Sequence, residues 1–129
     1  MITGIGNDIV SVKRVEKILN EKKELFLSRF FSPEEKEFFR DKPVTAEFLA
    51  GRWAAKEACA KALGCGFGKD CALQDITILR EITDNASGKP ILTLSGAGKL
   101  RSEALGVKKI HLSISHEKEY ATAIVILED

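Results

Sequence analysis

The chain is poor in cysteine, proline and most aromatics, with three Cys, three Pro, one Trp, one Tyr and one Met among 129 residues. Cys59, Cys65 and Cys71 are odd in number and evenly spaced, which fits neither a complete disulfide framework nor the paired ligands of a zinc ribbon. They read as free thiols of a reducing compartment. No apolar run approaches the roughly 20 residues that cross a bilayer, and the apolar segment at Met1 to Val10 contains Asp8 and lacks a basic leader or cleavage site. A cytoplasmic protein without a membrane partner is expected. Charge of either sign is not in excess either. Twenty Lys and Arg against 19 Asp and Glu leave a net +1, so no global field exists to hold a nucleic acid. Any anion must be recognised locally.

What is present is enough for one core. With 44% apolar and 30% charged residues, residues 1–129 read as a single domain able to offset the entropy of ordering. Met1 to Val10 reads as a strand whose Gly4 and Gly6 leave one side bare, with room for a ligand beside Asp8. Ser11 can cap a helix in which Val12, Val15, Ile18 and Leu19 recur at helical spacing. From Ser11 to Phe31 there are six basic and three acidic residues, a local excess that suits either a solvated face or a docking face. Ser32, Pro33 and Glu35 spell a capping box with proline at the first helical position, and that helix should end before Pro43.

The longest helix is expected from Ala46 to Leu63, closed by Gly64. Its alanines and Gly51 predict close packing against another backbone, a sheet or a second subunit. Asp75 to Ile82 and Ile91 to Leu94 form a hairpin around a polar turn from Asp84 to Pro90. Ser95 should cap a short helix closed by Gly106, and two strands, Ile110 to Ser115 and Tyr120 to Leu127, complete an α+β fold.

Two glycine patterns suggest nucleotide binding and fail. In LGCGFGKD the residue five before Gly68 is Leu63 and the residue after Lys69 is Asp70, so the phosphate-loop pattern is broken at two positions. The segment also follows a helix, which excludes a dinucleotide fingerprint. It remains a glycine loop along which an extended ligand can pass.

The chemistry lies on the long helix. Glu57 and Lys61 stand one turn apart, roughly 6 Å along the axis, as a surface ion pair would, yet the alanines and Trp53 on that stripe argue against water there. An acid removed from water needs a partner or a cation. Asp8, at the end of the glycine-bearing strand, is the natural second oxygen ligand, because Mg²⁺ is held by one or two carboxylates with phosphate oxygens and water. Neither His111 nor His116 has metal spacing; His111 reads as an outward strand residue, and His116, in the following turn, can reach an anion.

On these residues the chain resembles the bacterial holo-acyl-carrier-protein synthases, the short class of 4'-phosphopantetheinyl transferases. The matching blocks are GIGNDIV at 4 to 10, FLAGRWAAKEACAKALGCG at 48 to 66, GKP at 88 to 90 and HLSISHEKEYA at 111 to 121. Trp53 stands where the family commonly has phenylalanine, and Asn7 falls at a variable position. The resemblance implies the 4'-phosphopantetheinyl transferase fold, an antiparallel-rich sheet packed against a long helix. It also implies the reaction: transfer of the phosphopantetheine arm of coenzyme A to a serine of apo acyl carrier protein, in fatty acid biosynthesis, with release of adenosine 3',5'-bisphosphate.

Carried over by position, the family implies Asp8 and Glu57 as Mg²⁺ ligands and Asp8, Glu57 and Lys61 as the catalytic set, with Glu57 or a metal-bound water taking the serine proton. Arg52, Lys61, Gly64, Lys89 and His116 would bind coenzyme A, and Arg14 and Lys17 would dock the acidic carrier protein. Relatives of this length form homotrimers with active sites between subunits. Two other readings use the same residues: a non-catalytic module binding a nucleotide or acidic partner through Arg14, Lys17 and Lys56, with Glu57 merely pairing Lys61, and a small metal-dependent phosphohydrolase.

Overall fold

The computed structural model describes residues 1–81 and 88–129. Strand β1 (Ile2–Ser11) leads directly into α1 (Val12–Phe30), followed by α2 (Pro33–Phe38) and α3 (Ala46–Ala62). After a 3-10 turn at Leu73–Asp75 come β2 (Ile76–Arg80), β3 (Pro90–Leu94), α4 (Gly96–Ala104), β4 (Lys109–His116) and β5 (Tyr120–Glu128). The expected order holds throughout, with the 3-10 turn added. The end of the first hairpin strand at Ile82 and the turn from Asp84 lie outside the described residues.

Local chemistry accounts for the helix boundaries. Ser11 caps α1 by accepting from the Arg14 amide, and Ser32 with Glu35 makes the expected reciprocal capping box under Pro33. Thr45 caps α3, and Gly64 ends it at φ +74, a left-handed position that costs glycine little. Ser95 does not cap α4 with its side chain; its hydroxyl turns back to the Asp75 carbonyl instead. Helix α1 is kinked at Lys22, where the backbone leaves helical geometry.

The main sheet is antiparallel in the order β1-β5-β4, and β2 and β3 pair in a separate hairpin. Helix α3 crosses the inner face of the main sheet, and its Ala54, Ala55, Ala58 and Leu49 are buried with Val125, Leu127 and Ala121 of β5. Glycine makes this contact possible. A Cβ on Gly6 would lie 2.0 Å from the Ala58 carbonyl oxygen, and one on Gly4 2.3 Å from that of Ala62. At Gly4 and Gly6 the bare side of β1 is therefore filled by the backbone of α3, and the room expected for a ligand is left only farther along, beside Asp8.

A buried ion pair joins the end of α1, α2, the 3-10 turn and β2 to α3. Lys56, fully buried, donates from Nζ to Glu35 Oε1 at 2.7 Å and to the carbonyls of Phe30 at 2.6 Å and Leu73 at 3.1 Å. The other oxygen of Glu35 accepts from the Ile78 amide of β2. Burial pulls the Lys56 ammonium below its ordinary pKa while Glu35 opposes the shift. Lys56 cannot serve a binding module, contrary to that alternative reading of its charge.

Candidate active site

Because Gly4 and Gly6 admit α3 so closely, Asp8, two residues farther along the same face of β1, meets the last turns of that helix. Lys61 Nζ donates to Asp8 Oδ1 at 3.0 Å and to the Asn7 carbonyl at 3.1 Å. The Asp8 side chain is 18% exposed and that of Lys61 54%. Lys61 is thus tethered through its ammonium while about half of its side chain stays exposed. The Glu57–Lys61 pair that the spacing alone suggests, and that the binding-module reading needs, does not form, because Asp8 and the Asn7 carbonyl take the ammonium. Glu57, one turn before Lys61, accepts instead from the indole Nε1 of Trp53 at 3.3 Å.

The donor set suits a small hard cation. Asp8 and Glu57 supply carboxylate oxygens, nothing among the described residues donates to Glu57 Oε2, and the Lys61 ammonium already stands as a cation against Asp8. Among the described residues no three His, Cys, Asp or Glu side chains gather into a metal cage. Two carboxylates completed by phosphate and water are the usual surroundings of Mg²⁺. A cavity of about 500 Å³ opens beside Asn7, Asp8, Ile9 and Lys61 and runs along Ser113, Ser115 and Ile124 of the main sheet.

A second cavity, about 240 Å³, lies toward the other end of α3 and is lined by Glu47, Phe48, Gly51, Arg52, Arg80, Gly88, Pro90, Ile114 and His116. Arg52 is only 8% exposed, and its Nε has no hydrogen-bond partner among the described residues. Burial, and then the like charge of Arg80, pull its guanidinium down to about 10, with Glu35 opposing. Arg52 and Lys56 place two buried cations against one buried carboxylate, Glu35. Arg52 and Arg80 face the cavity against the single carboxylate of Glu47, and an anion there would relieve the excess positive charge.

The predicted residues therefore fall into two groups. Asp8, Glu57 and Lys61 share one region, although Glu57 lines neither cavity, and Arg52 and His116 share the other. His116 is the last residue of β4, not part of the turn. Lys89 lies between two lining residues, but its own side chain is exposed and its carbonyl pairs with Glu81. Gly64 begins an exposed loop, and the Arg101 Nε holds the preceding carbonyl of Leu63 at 3.0 Å. Arg14 and Lys17 are exposed on α1, with the Arg14 guanidinium 5.1 Å from the Trp53 ring centroid. His111 faces outward to Glu128, as read from the strand pattern.

Sequence reasoning passed over Arg80 and Glu47, which line the Arg52 cavity. Arg80 carries no motif. Glu47 stands five residues before Arg52, near enough to have been considered.

Fold and site together define a small α+β protein with carboxylates and a lysine gathered at one end of α3 and a buried arginine at a cavity toward the other. A family model for the 4'-phosphopantetheinyl transferase superfamily matches residues 4–125, and the chain belongs to that family. It is 46% identical over 127 residues to the holo-[acyl-carrier-protein] synthase of Halorhodospira halophila, covering 98% of each chain. To the synthase of Vibrio campbellii it is 43% identical over the same shares. Among solved structures it resembles the Neisseria meningitidis synthase with a TM-score of 0.86, at 36% identity over the whole of both chains. The Helicobacter pylori synthase, solved in complex with coenzyme A, matches with a TM-score of 0.78 and 37% identity, over 96% of this chain and 99% of that one.

Proposed function

We propose that this protein is a holo-acyl-carrier-protein synthase, moving the phosphopantetheine arm of coenzyme A onto a serine of an apo acyl carrier protein. One observation carries the reading to particular residues: β1 delivers Asp8 to the turns of α3 that bear Glu57 and Lys61, with Lys61 Nζ 3.0 Å from Asp8. In the reaction the serine oxygen forms a new bond to the phosphorus that carries pantetheine. The pyrophosphate bond breaks, and adenosine 3',5'-bisphosphate leaves with the bridging oxygen. The serine proton passes to Glu57 or to water held beside it. Lys61 swings from its tether at Asp8 to the phosphate oxygens, where charge builds during attack.

Asp8 and Glu57 would hold Mg²⁺, which supplies charge neutralisation and alignment of the pyrophosphate. Arg52 and His116 receive the phosphates of the adenosine end, and Arg80 adds a second guanidinium to that cavity. Gly64 opens the backbone loop along which the pantetheine arm runs, and Lys89 reaches the same ligand from the rim. Arg14 and Lys17 dock the acidic carrier protein by electrostatic attraction. The setting is the cytoplasm and the pathway fatty acid biosynthesis.

The working unit is a homotrimer with its active sites between chains. In support, the outer face of the sheet leaves Ile5 62%, Ile9 61% and Ile124 38% exposed, an apolar stripe beside Asp8 that a second copy would cover. Asp8 lies on one edge strand and His116 on the other, and the two cavities share no lining residue. One chain offers the pyrophosphate half of the site and its neighbour the adenosine half.

The test is the mass of the carrier. Incubated with coenzyme A, Mg²⁺ and this protein, an apo acyl carrier protein should gain one phosphopantetheinyl group, and Glu57→Ala should abolish the gain at ordinary Mg²⁺ while the fold persists. A carrier of unchanged mass would end the transferase reading; free phosphate released from coenzyme A would favour a phosphohydrolase.

A further inference from the structure

The geometry assigns Trp53 as a positioning residue for Glu57, an inference that rests on the transferase reading of the site. The two side chains stand one turn apart on α3, and the indole N–H donates to Glu57 Oε1 at 3.3 Å. A glutamate on a helix surface otherwise samples several rotamers. With one oxygen engaged by a fixed donor, the carboxylate presents Oε2, for which no donor exists among the described residues. That is the oxygen left to face a cation or the serine proton.

The indole is itself braced from α1. Phe26 packs against it with ring centroids 5.3 Å apart at an interplanar angle of 41°, and the Arg14 guanidinium lies over it at 5.1 Å. Arg14, Trp53 and Glu57 therefore form a continuous line from the exposed surface of α1 to the carboxylate. Packing alone does not require nitrogen in this ring, since phenylalanine could fill against Phe26. Only the N–H reaches Glu57, so hydrogen bonding and packing can be separated by experiment.

Trp53 is the chain's single tryptophan, which makes the separation clean. Biosynthetic replacement by benzothienylalanine puts sulfur in place of the N–H and keeps the shape, and Trp53→Phe removes the donor genetically. Two readouts are compared with the unmodified protein: Mn²⁺ binding to the resting protein, counted from the paramagnetic resonance of the free ion, and kcat against KM for coenzyme A in the carrier-mass assay. At 3.3 Å the hydrogen bond is a long one, and loss of a bond of ordinary net strength should weaken Mn²⁺ binding by roughly three- to tenfold and lower kcat, with KM for coenzyme A and the melting temperature nearly unchanged. In the unmodified protein, Mn²⁺ should quench tryptophan emission, and Glu57→Ala should remove the quench.

Mn²⁺ affinity unchanged in both replacements, or a quench that survives Glu57→Ala, would overturn the assignment, and so would a fall in melting temperature alone. The Mn²⁺ arm requires no turnover. It judges Trp53 even if the unmodified protein leaves the carrier unaltered, the result that defeats the transferase reading itself.

Discussion

Replacing Gly6 by alanine tests the contact on which the site is built. A Cβ there would sit 2.0 Å from the Ala58 carbonyl oxygen and 2.7 Å from the Ala62 amide nitrogen, both backbone atoms of α3 that no rotamer change can move. An ordinary contact needs about 1.4 Å more, so the helix must retreat from β1 by about that distance. Overpacking of this kind costs about 2 to 4 kcal/mol, which a domain of ordinary stability survives. Activity should suffer far more. Asp8 lies two residues along the same strand face, and a misplacement on the order of 1 Å at a reacting centre can lower turnover about a hundredfold. Gly66→Ala is the control, because a Cβ at that glycine meets nothing within 4 Å. It should leave stability within about 0.5 kcal/mol of the parent. Urea unfolding followed by Trp53 emission gives the stability, and the rate of carrier mass gain gives the activity. Equal behaviour of the two variants in both assays would refute the claim that the β1–α3 contact sets Asp8.

Lys56→Met should cost about 3 to 5 kcal/mol in urea unfolding, because it strands the Glu35 carboxylate and the carbonyls of Phe30 and Leu73 in the core; a loss under 1 kcal/mol would mean that water or repacking satisfies them. Burial raises the thiols of Cys59 and Cys71 to about 12, so at pH 8 almost no reactive thiolate exists at either. Titration with a disulfide reagent should then find Cys65 alone in the native protein and all three after unfolding, although burial raises Cys65 as well. Asp8→Ala and Arg52→Ala should each be inactive alone yet regain activity when refolded together, since a mixed assembly rebuilds intact sites between chains; no recovery would place each whole site within one chain.

Much of this architecture is legible residue by residue. Ser32, Pro33 and Glu35 announce the start of α2 because a capping box is a local exchange of hydrogen bonds between neighbours in sequence. Local reasoning stops there. The same Glu35 reaches Lys56, 21 positions away, and no periodicity links the two. The Glu57–Lys61 spacing is real, but spacing along a helix cannot reveal that Asp8 of another element competes for the ammonium and wins it. Gly4 and Gly6 show the limit from the other side. Their lack of side chains correctly marks a close approach, and only the packed fold decides that a helix, not a ligand, makes it.

Helix α3 also shows why its polar residues serve two cavities. Successive residues turn by about 100°, so Glu57 and Lys61 lie about 40° apart around the axis while Arg52 and Glu57 lie about 140° apart. On the opposite side of the axis, between Lys61 and Arg52, the face with Ala58 and Ala62 is occupied by the glycines of β1. Lys56, about 40° from Arg52, turns into the core toward Glu35 and β2. One flank of the helix therefore presents Glu57 and Lys61 toward the β1 edge of the sheet, and the other presents a buried guanidinium toward β2 and the end of β4. Arg52 and Lys61 are also nine positions apart, about 13.5 Å along the axis. A ligand phosphorylated at both ends would have to cross that length and change flanks to use both loci of one chain. A second chain seated on the isoleucine stripe beside Asp8 would remove the need for that path, and this is the physical case for the proposed site between copies.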